Sequence, residues 1–132
     1  MIGMSKRLFD DRISRYANQN IVKRKMYMRY RLETISPEML DGYIQRGEGV
    51  IIDLRAPEEY RISHIRGAIN VPYEEAERLE SYPRSQKLIL YCDRGGASLS
   101  AAKELAGKGF RTYSLNGGMQ GYKGRYLVKK RM

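Results

Sequence analysis

Short apolar runs alternate with amphipathic stretches along the chain from Thr34 onward, a pattern typical of strands and helices in an α/β domain. Runs at residues 50–54, 68–71, 87–91 and 112–115 predict strands. The run at 87–91 is the clearest, because its centre is continuously aliphatic and fits a buried strand. The helices predicted between these strands begin after Ser36, at Pro57, at Glu74 and after Ser98.

Two of the helices have clear start and stop signals. Ser36 is a typical N-cap residue, Pro37 suits the first helical position, and Gly47 predicts the end of that helix. Ser98 predicts the N-cap of a second helix, which runs to Gly107.

The length of 132 residues predicts one hydrophobic core. No apolar stretch approaches the roughly 18 residues of a transmembrane helix, and the first residues lack the apolar centre of a secretory signal. We therefore expect a cytoplasmic protein without membrane contact. Cys92 is the single cysteine and His64 the single histidine, which excludes an internal disulfide and a Cys/His zinc site.

The net charge of +10 is carried by the two ends of the chain. Residues 1–33 contain nine Lys and Arg against three acidic residues, and residues 123–132 contain five basic residues. The intervening residues 34–122 are almost neutral, with eleven basic and twelve acidic residues. We therefore predict a basic N-terminal extension (1–33), a central domain (34–122) and a basic C-terminal tail (123–132). The extensions are either solvated or packed segments, or they contact nucleic acid.

Cys92 has the most chemically suggestive position in the sequence. It follows the best predicted strand and precedes Gly95, Gly96 and the predicted helix start at Ser98. In an open α/β sheet, ligands bind where strands end. Backbone N–H groups of a glycine turn and of a helix start stabilise a thiolate or a bound oxyanion there. The alternative is that Cys92 is a buried filler at the end of a strand.

Three further stretches carry a resemblance to a known family. Residues 52–55 and 58–60 read IDLR and EEY, residues 63–72 read SHIRGAINVP, and residues 115–122 read LNGGMQGY. In this order, and with a cysteine after an apolar strand between the second and third, they resemble the signatures of the rhodanese-like domain over residues 34–122. Ser63 stands where glycine is usual in that family, and Tyr122 replaces a tryptophan.

The resemblance implies an α/β fold with a five-stranded, mostly parallel sheet flanked by helices on both faces. It also implies that the Cys92 thiolate takes a sulfane sulfur from a small donor such as thiosulfate or a persulfide. The resulting persulfide passes its sulfur to cyanide or to a thiol, including one on a protein, without a cofactor or metal. The substrate-binding residues implied are Asp93, Arg94, Gly95, Gly96, Ala97 and Ser98.

The loop at residues 92–97, which we call the Cys92 loop, departs from many active family members in its charge. A basic residue is frequent at the positions held here by Asp93 and Ala97, so Arg94 is the one cation of the loop. Asp93 would oppose thiolate formation if its carboxylate faced the sulfur. We therefore expect weak activity with thiosulfate.

Supporting roles are predicted for three residues before the loop. Asp53 and Arg55 lie at a strand end, and we predict an ion pair between them beneath the Cys92 loop. His64 either acts as a base or, as we favour, braces neighbouring loops.

Two other functions compete with sulfur transfer. The first is an interaction module on the same fold, in which the loop is inert and the basic extensions bind a partner. The second is a cysteine phosphatase, which needs an arginine six residues after the cysteine to grip phosphate. That position is Ser98, which argues against a phosphatase.

Overall fold

The computed structural model describes residues 31–130. A parallel sheet of five strands lies at its centre, in the order β1-β6-β5-β2-β4. In chain order, the elements are β1 (Leu32–Ile35), α1 (Pro37–Arg46), β2 (Val50–Asp53), α2 (Pro57–Ile62), β3 (Ser63–Ile65), β4 (Ile69–Asn70), a 3₁₀ helix (Tyr73–Ser81), β5 (Lys87–Tyr91), α3 (Gly96–Gly107), β6 (Arg111–Leu115), α4 (Gly118–Gly121) and β7 (Leu127–Lys129). The predicted α/β class and five-stranded sheet are confirmed.

The hydrophobic core lies on both faces of the sheet, and β5 contributes side chains to each face. Leu88 and Leu90 belong to a cluster with α3 and the 3₁₀ helix, whereas Ile89 and Tyr91 belong to a cluster with α1. Successive side chains of a strand point to opposite faces, so a strand covered on both sides needs an unbroken apolar run. This explains the unbroken apolar run within residues 87–91. Cys92 continues the alternation and joins the α3 cluster.

The two predicted helix starts have different outcomes. Helix α1 begins as expected: the Ser36 hydroxyl accepts the Met39 N–H at 3.1 Å, and Gly47 ends the helix at φ +64°. The prediction that Ser98 is the N-cap of α3 is wrong, because Gly95 occupies that position at φ +110°. This glycine turns the chain into the helix earlier and leaves Ser98 buried inside the first turn.

A second, antiparallel sheet joins β3 to β7. Its register pairs Ser63 with Lys129 and Ile65 with Leu127. Residues 127–129, predicted as part of a basic tail, therefore form a strand. Within residues 31–130, no helix is long and apolar enough to cross a membrane. Residues 1–30, which make up most of the predicted N-terminal extension, and residues 131–132 lie outside the described residues.

Candidate active site

The Cys92 sulfur lies where β5 ends and accepts two backbone hydrogen bonds. The N–H of Gly95 is 3.1 Å from Sγ, and the N–H of Ser98 is 3.3 Å from it. Both donors belong to the start of α3, whose twelve residues aim their positive dipole end toward the sulfur. Only 6% of Cys92 is exposed. Two N–H donors and a helix start directed at Sγ are suited to stabilising a negative charge on that atom.

A buried pair of serines lies behind these donors. The Ser98 hydroxyl donates to the Gly95 carbonyl oxygen at 3.2 Å and lies 2.8 Å from the hydroxyl of Ser114 on β6. Ser98 is fully buried and Ser114 almost so. The role of Ser114 could not be predicted from the sequence, because nothing marks a serine within a predicted strand as the partner of a side chain 16 positions earlier.

Helix α4 holds the first residues of the Cys92 loop from the other side. The N–H of Met119 donates to the Cys92 carbonyl oxygen at 2.8 Å, and the N–H of Gln120 donates to the Asp93 carbonyl oxygen at 3.0 Å. The glycine pair 117–118 adopts positive φ at both positions. The motif at residues 115–122 therefore completes the candidate site.

The loop charges lie at its surface. The Asp93 carboxylate accepts a hydrogen bond from Gln120 Nε2 at 3.1 Å and lies 3.9 Å from Arg94 Nε. The side chains of Asp93 and Arg94 are 47% and 80% exposed. Gly96 is exposed, and Ala97 is half-buried against the α3 cluster. The outer face of the loop thus carries one carboxylate and one guanidinium.

Asp53 and Arg55 form the expected ion pair. Arg55 Nη2 lies 2.8 Å from Asp53 Oδ2, and the Arg55 N–H donates to Oδ1 at 2.9 Å. Burial opposes the charge on Arg55, but the hydrogen bonds and charge of Asp53 outweigh burial and raise the pKa of the guanidinium. In the β2–β5 register Asp53 pairs with Tyr91, the residue before Cys92. The Asp53–Arg55 ion pair therefore lies beside the end of β5, the strand that leads into the cysteine.

His64 lies on β3, in the two-stranded sheet. Its Nδ1 is 2.9 Å from the Tyr60 carbonyl oxygen, and its ring stacks on the Tyr60 ring with centroids 4.0 Å apart. These contacts fit a brace between α2 and β3. In the part of the chain that the structure describes, no group of three or more His, Cys, Asp or Glu is placed to hold a metal.

Residues 36–125 match the family model of the rhodanese-like domain. The chain belongs to this family. A solved rhodanese-like domain protein from Staphylococcus aureus shares the fold at a TM-score of 0.65 and 23% identity, over 75% of this chain and 99% of that one. A rhodanese homologue from Thermus thermophilus is 31% identical at a TM-score of 0.54, over 67% of this chain and 98% of that one.

Two curated relatives of the domain are sulfurtransferases by name. A tRNA sulfurtransferase from Desulfurococcus amylolyticus is 41% identical over 91 residues, which are 65% of this chain but 18% of that protein. The thiosulfate sulfurtransferase GlpE of Pseudomonas entomophila is 34% identical over 95 residues, 70% of this chain and 85% of that protein. These relatives support a sulfurtransferase role for the chain.

Proposed function

We propose that the protein is a sulfurtransferase in which Cys92 carries sulfur as a persulfide. The Cys92 thiolate attacks the outer sulfur of a sulfane donor, forms a new S–S bond, and expels the remainder of the donor with the electron pair of the broken bond. With thiosulfate the leaving group is sulfite. A thiolate or cyanide then attacks the outer sulfur of the persulfide and restores the Cys92 thiolate.

The hydrogen bonds from Gly95 and Ser98 to Sγ carry this proposal. They provide fixed backbone donors to Sγ, which is the anionic nucleophile of the first transfer and the anionic leaving group of the second. A cysteine that only filled space would not need two N–H groups aimed at its sulfur. The remaining loop residues 93–97 form the mouth through which donor and acceptor approach, while Asp53, Arg55 and His64 hold the surrounding elements in place.

The charges of the loop favour a persulfide over thiosulfate as donor. Thiosulfate is a dianion, and Asp93, the residue after Cys92, places a carboxylate on the outer face of the loop. Arg94 is the single cation of the loop, and it is highly exposed and near Asp93. An exposed and partly neutralised guanidinium binds an anion weakly in water. A small persulfide with less charge avoids this repulsion.

Mass spectrometry of the intact protein tests the proposal. The folded protein is treated with a low-molecular-weight persulfide and, separately, with thiosulfate, and excess donor is removed. We expect a gain of one sulfur atom with the persulfide, less complete gain with thiosulfate, and no gain in Cys92→Ser. A reducing thiol should remove the added sulfur. If the folded wild-type protein gains no sulfur from either donor, the proposal fails and the alternative, an interaction module with an inert loop, is favoured.

A further inference from the structure

The two donors to the Cys92 sulfur are linked to one another by a side chain. Gly95 supplies one N–H, and its carbonyl oxygen accepts the hydroxyl of Ser98, which supplies the other N–H. A serine hydroxyl has one proton to donate. Because the Ser98 proton is directed to Gly95, the hydrogen bond between the two serine hydroxyls is donated by Ser114 to Ser98 Oγ.

We infer that Ser114 is a positioning residue for the nucleophile. It lies on β6, in the rigid sheet, and its hydroxyl fixes the Ser98 side chain, which in turn holds both Sγ donors at their distances from the sulfur. Both serines are buried, so neither hydroxyl can exchange its partner for bulk water when the other is removed. The inference extends the proposed function, since it identifies a residue that acts on Cys92 reactivity without touching the sulfur.

Thr112 provides a matched control on the same strand. Its hydroxyl donates to the Ala102 carbonyl oxygen of α3 at 3.0 Å, and Thr112 is fully buried. Ser114→Ala and Thr112→Val therefore each remove one buried hydrogen bond between β6 and α3. Only the bond removed by Ser114→Ala is connected to the N–H groups that donate to Sγ. Both variants should lose similar stability, but only Ser114→Ala should change the chemistry of Cys92.

Two measurements that need no sulfur donor test the inference. The first is the alkylation rate of Cys92 by iodoacetamide, a neutral reagent, at neutral pH. We expect Ser114→Ala to slow it about three- to tenfold, the effect of one modest hydrogen bond on the reactive thiolate. The second is the NMR resonance of the Gly95 and Ser98 amide protons, which should move upfield as their bonds to sulfur lengthen. Thr112→Val should leave both readouts near wild type.

The outcomes separate this inference from the proposed function. Ser114→Thr, which keeps the hydroxyl, should restore the alkylation rate, and Ser98→Ala/Ser114→Ala should be no slower than Ser98→Ala alone. If Ser114→Ala alkylates as fast as Thr112→Val with unchanged amide resonances, Ser114 is only structural and the inference fails. If the alkylation and amide effects are found but the wild type takes no sulfur from a persulfide, the proposed function fails and the role of Ser114 stands.

Discussion

Gly118 lies so close to the Cys92 carbonyl that a Cβ at this position would come within 2.6 Å of the carbonyl oxygen. The Asp93 carbonyl group would be equally close. Gly118 also has φ +58°, a conformation that side chains with a Cβ rarely adopt. The approach lets the next residue, Met119, donate its N–H to the same Cys92 oxygen. Because Gly118 has no Cβ, α4 can approach closely enough to hold the backbone of Cys92 and Asp93, the first two residues of the loop.

Gly118→Ala should destabilise the domain and slow the reactions of Cys92. We expect a loss of about 2–4 kcal/mol in the free energy of unfolding, from backbone strain together with the clash against the loop. Chemical denaturation and iodoacetamide alkylation measure the two effects. Gly121→Ala in the same helix is the control, because its nearest contact would be at 4.0 Å. Equal stability losses in both variants would contradict the proposed role of the close approach.

Arg55→Met should cost about 3–5 kcal/mol of folding stability, because it leaves the fully buried Asp53 without a counter-charge. Arg55 also donates to the Ser63 carbonyl oxygen, so its loss releases the link between β2 and β3. The double variant Asp53→Leu/Arg55→Met should recover part of the stability, since no charge remains buried. Denaturation midpoints of the three proteins check this. A double variant no more stable than Arg55→Met would show that the buried charge is not what makes the single change costly.

The strands and helices that could be predicted from sequence are those with a local cause. Residues 87–91 are apolar because both faces of β5 are covered, and α1 carries its own cap at Ser36. Strand β1 was missed because its middle residues, Glu33 and Thr34, are exposed and give no apolar run. Strand β7 was missed because it is short, half polar and held by pairing with a distant strand, β3.

The residues of the candidate site also differ in how far their roles could be predicted from the sequence. Cys92 and its glycines stand in one short segment, so their role could be inferred from local sequence. The sequence predicts the start of α3 too late, because Ser98 is a good N-cap residue. In the structure, the backbone freedom of Gly95 allows the helix to begin three residues earlier. The role of Ser98 depends instead on Ser114, which only the fold brings to it. Such long-range polar pairs leave no periodicity in the sequence.

The tyrosine that replaces the usual tryptophan at position 122 makes a specific bond. Its hydroxyl donates to the Asp41 carboxylate at 2.6 Å and accepts the Tyr126 N–H at 3.1 Å. Burial, and then the hydrogen bond to Asp41, raise the pKa of Tyr122 to about 12. The folded state thus favours the neutral phenol. Its stabilising contribution is complete below the ordinary tyrosine pKa of about 10 and is lost as the pH rises toward 12.

Tyr122→Phe should therefore lower the free energy of unfolding by about 1–3 kcal/mol at neutral pH. The difference from wild type should shrink between about pH 10 and pH 12, where the phenol of the wild type ionises. Denaturation at a series of pH values measures this difference. Tyr73→Phe is the control, because the Tyr73 hydroxyl is bonded at the surface to Ser100. A constant difference across this pH range would show that the phenol proton does not contribute.

Asp93→Asn should raise the rate of sulfur transfer from thiosulfate about two- to fivefold, the effect expected for removing one half-exposed charge near an anionic substrate. The asparagine carboxamide oxygen can still accept the bond from Gln120, so the loop should keep its shape. Arg94→Ala should act in the opposite direction, because it removes the cation of the loop. Steady-state rates with thiosulfate and a thiol acceptor provide the measurement.

A small persulfide donor, which carries less charge than thiosulfate, distinguishes charge from loop distortion in the same variants. Electrostatic repulsion acts on the dianion, so both substitutions should change the thiosulfate rate more than the persulfide rate. Adding salt should narrow the differences among the thiosulfate rates, because the charges of Asp93 and Arg94 are screened by ions at the surface. Equal responses to thiosulfate and to the persulfide, or rates insensitive to salt, would mean that these residues act through loop structure and that charge does not set the choice of donor.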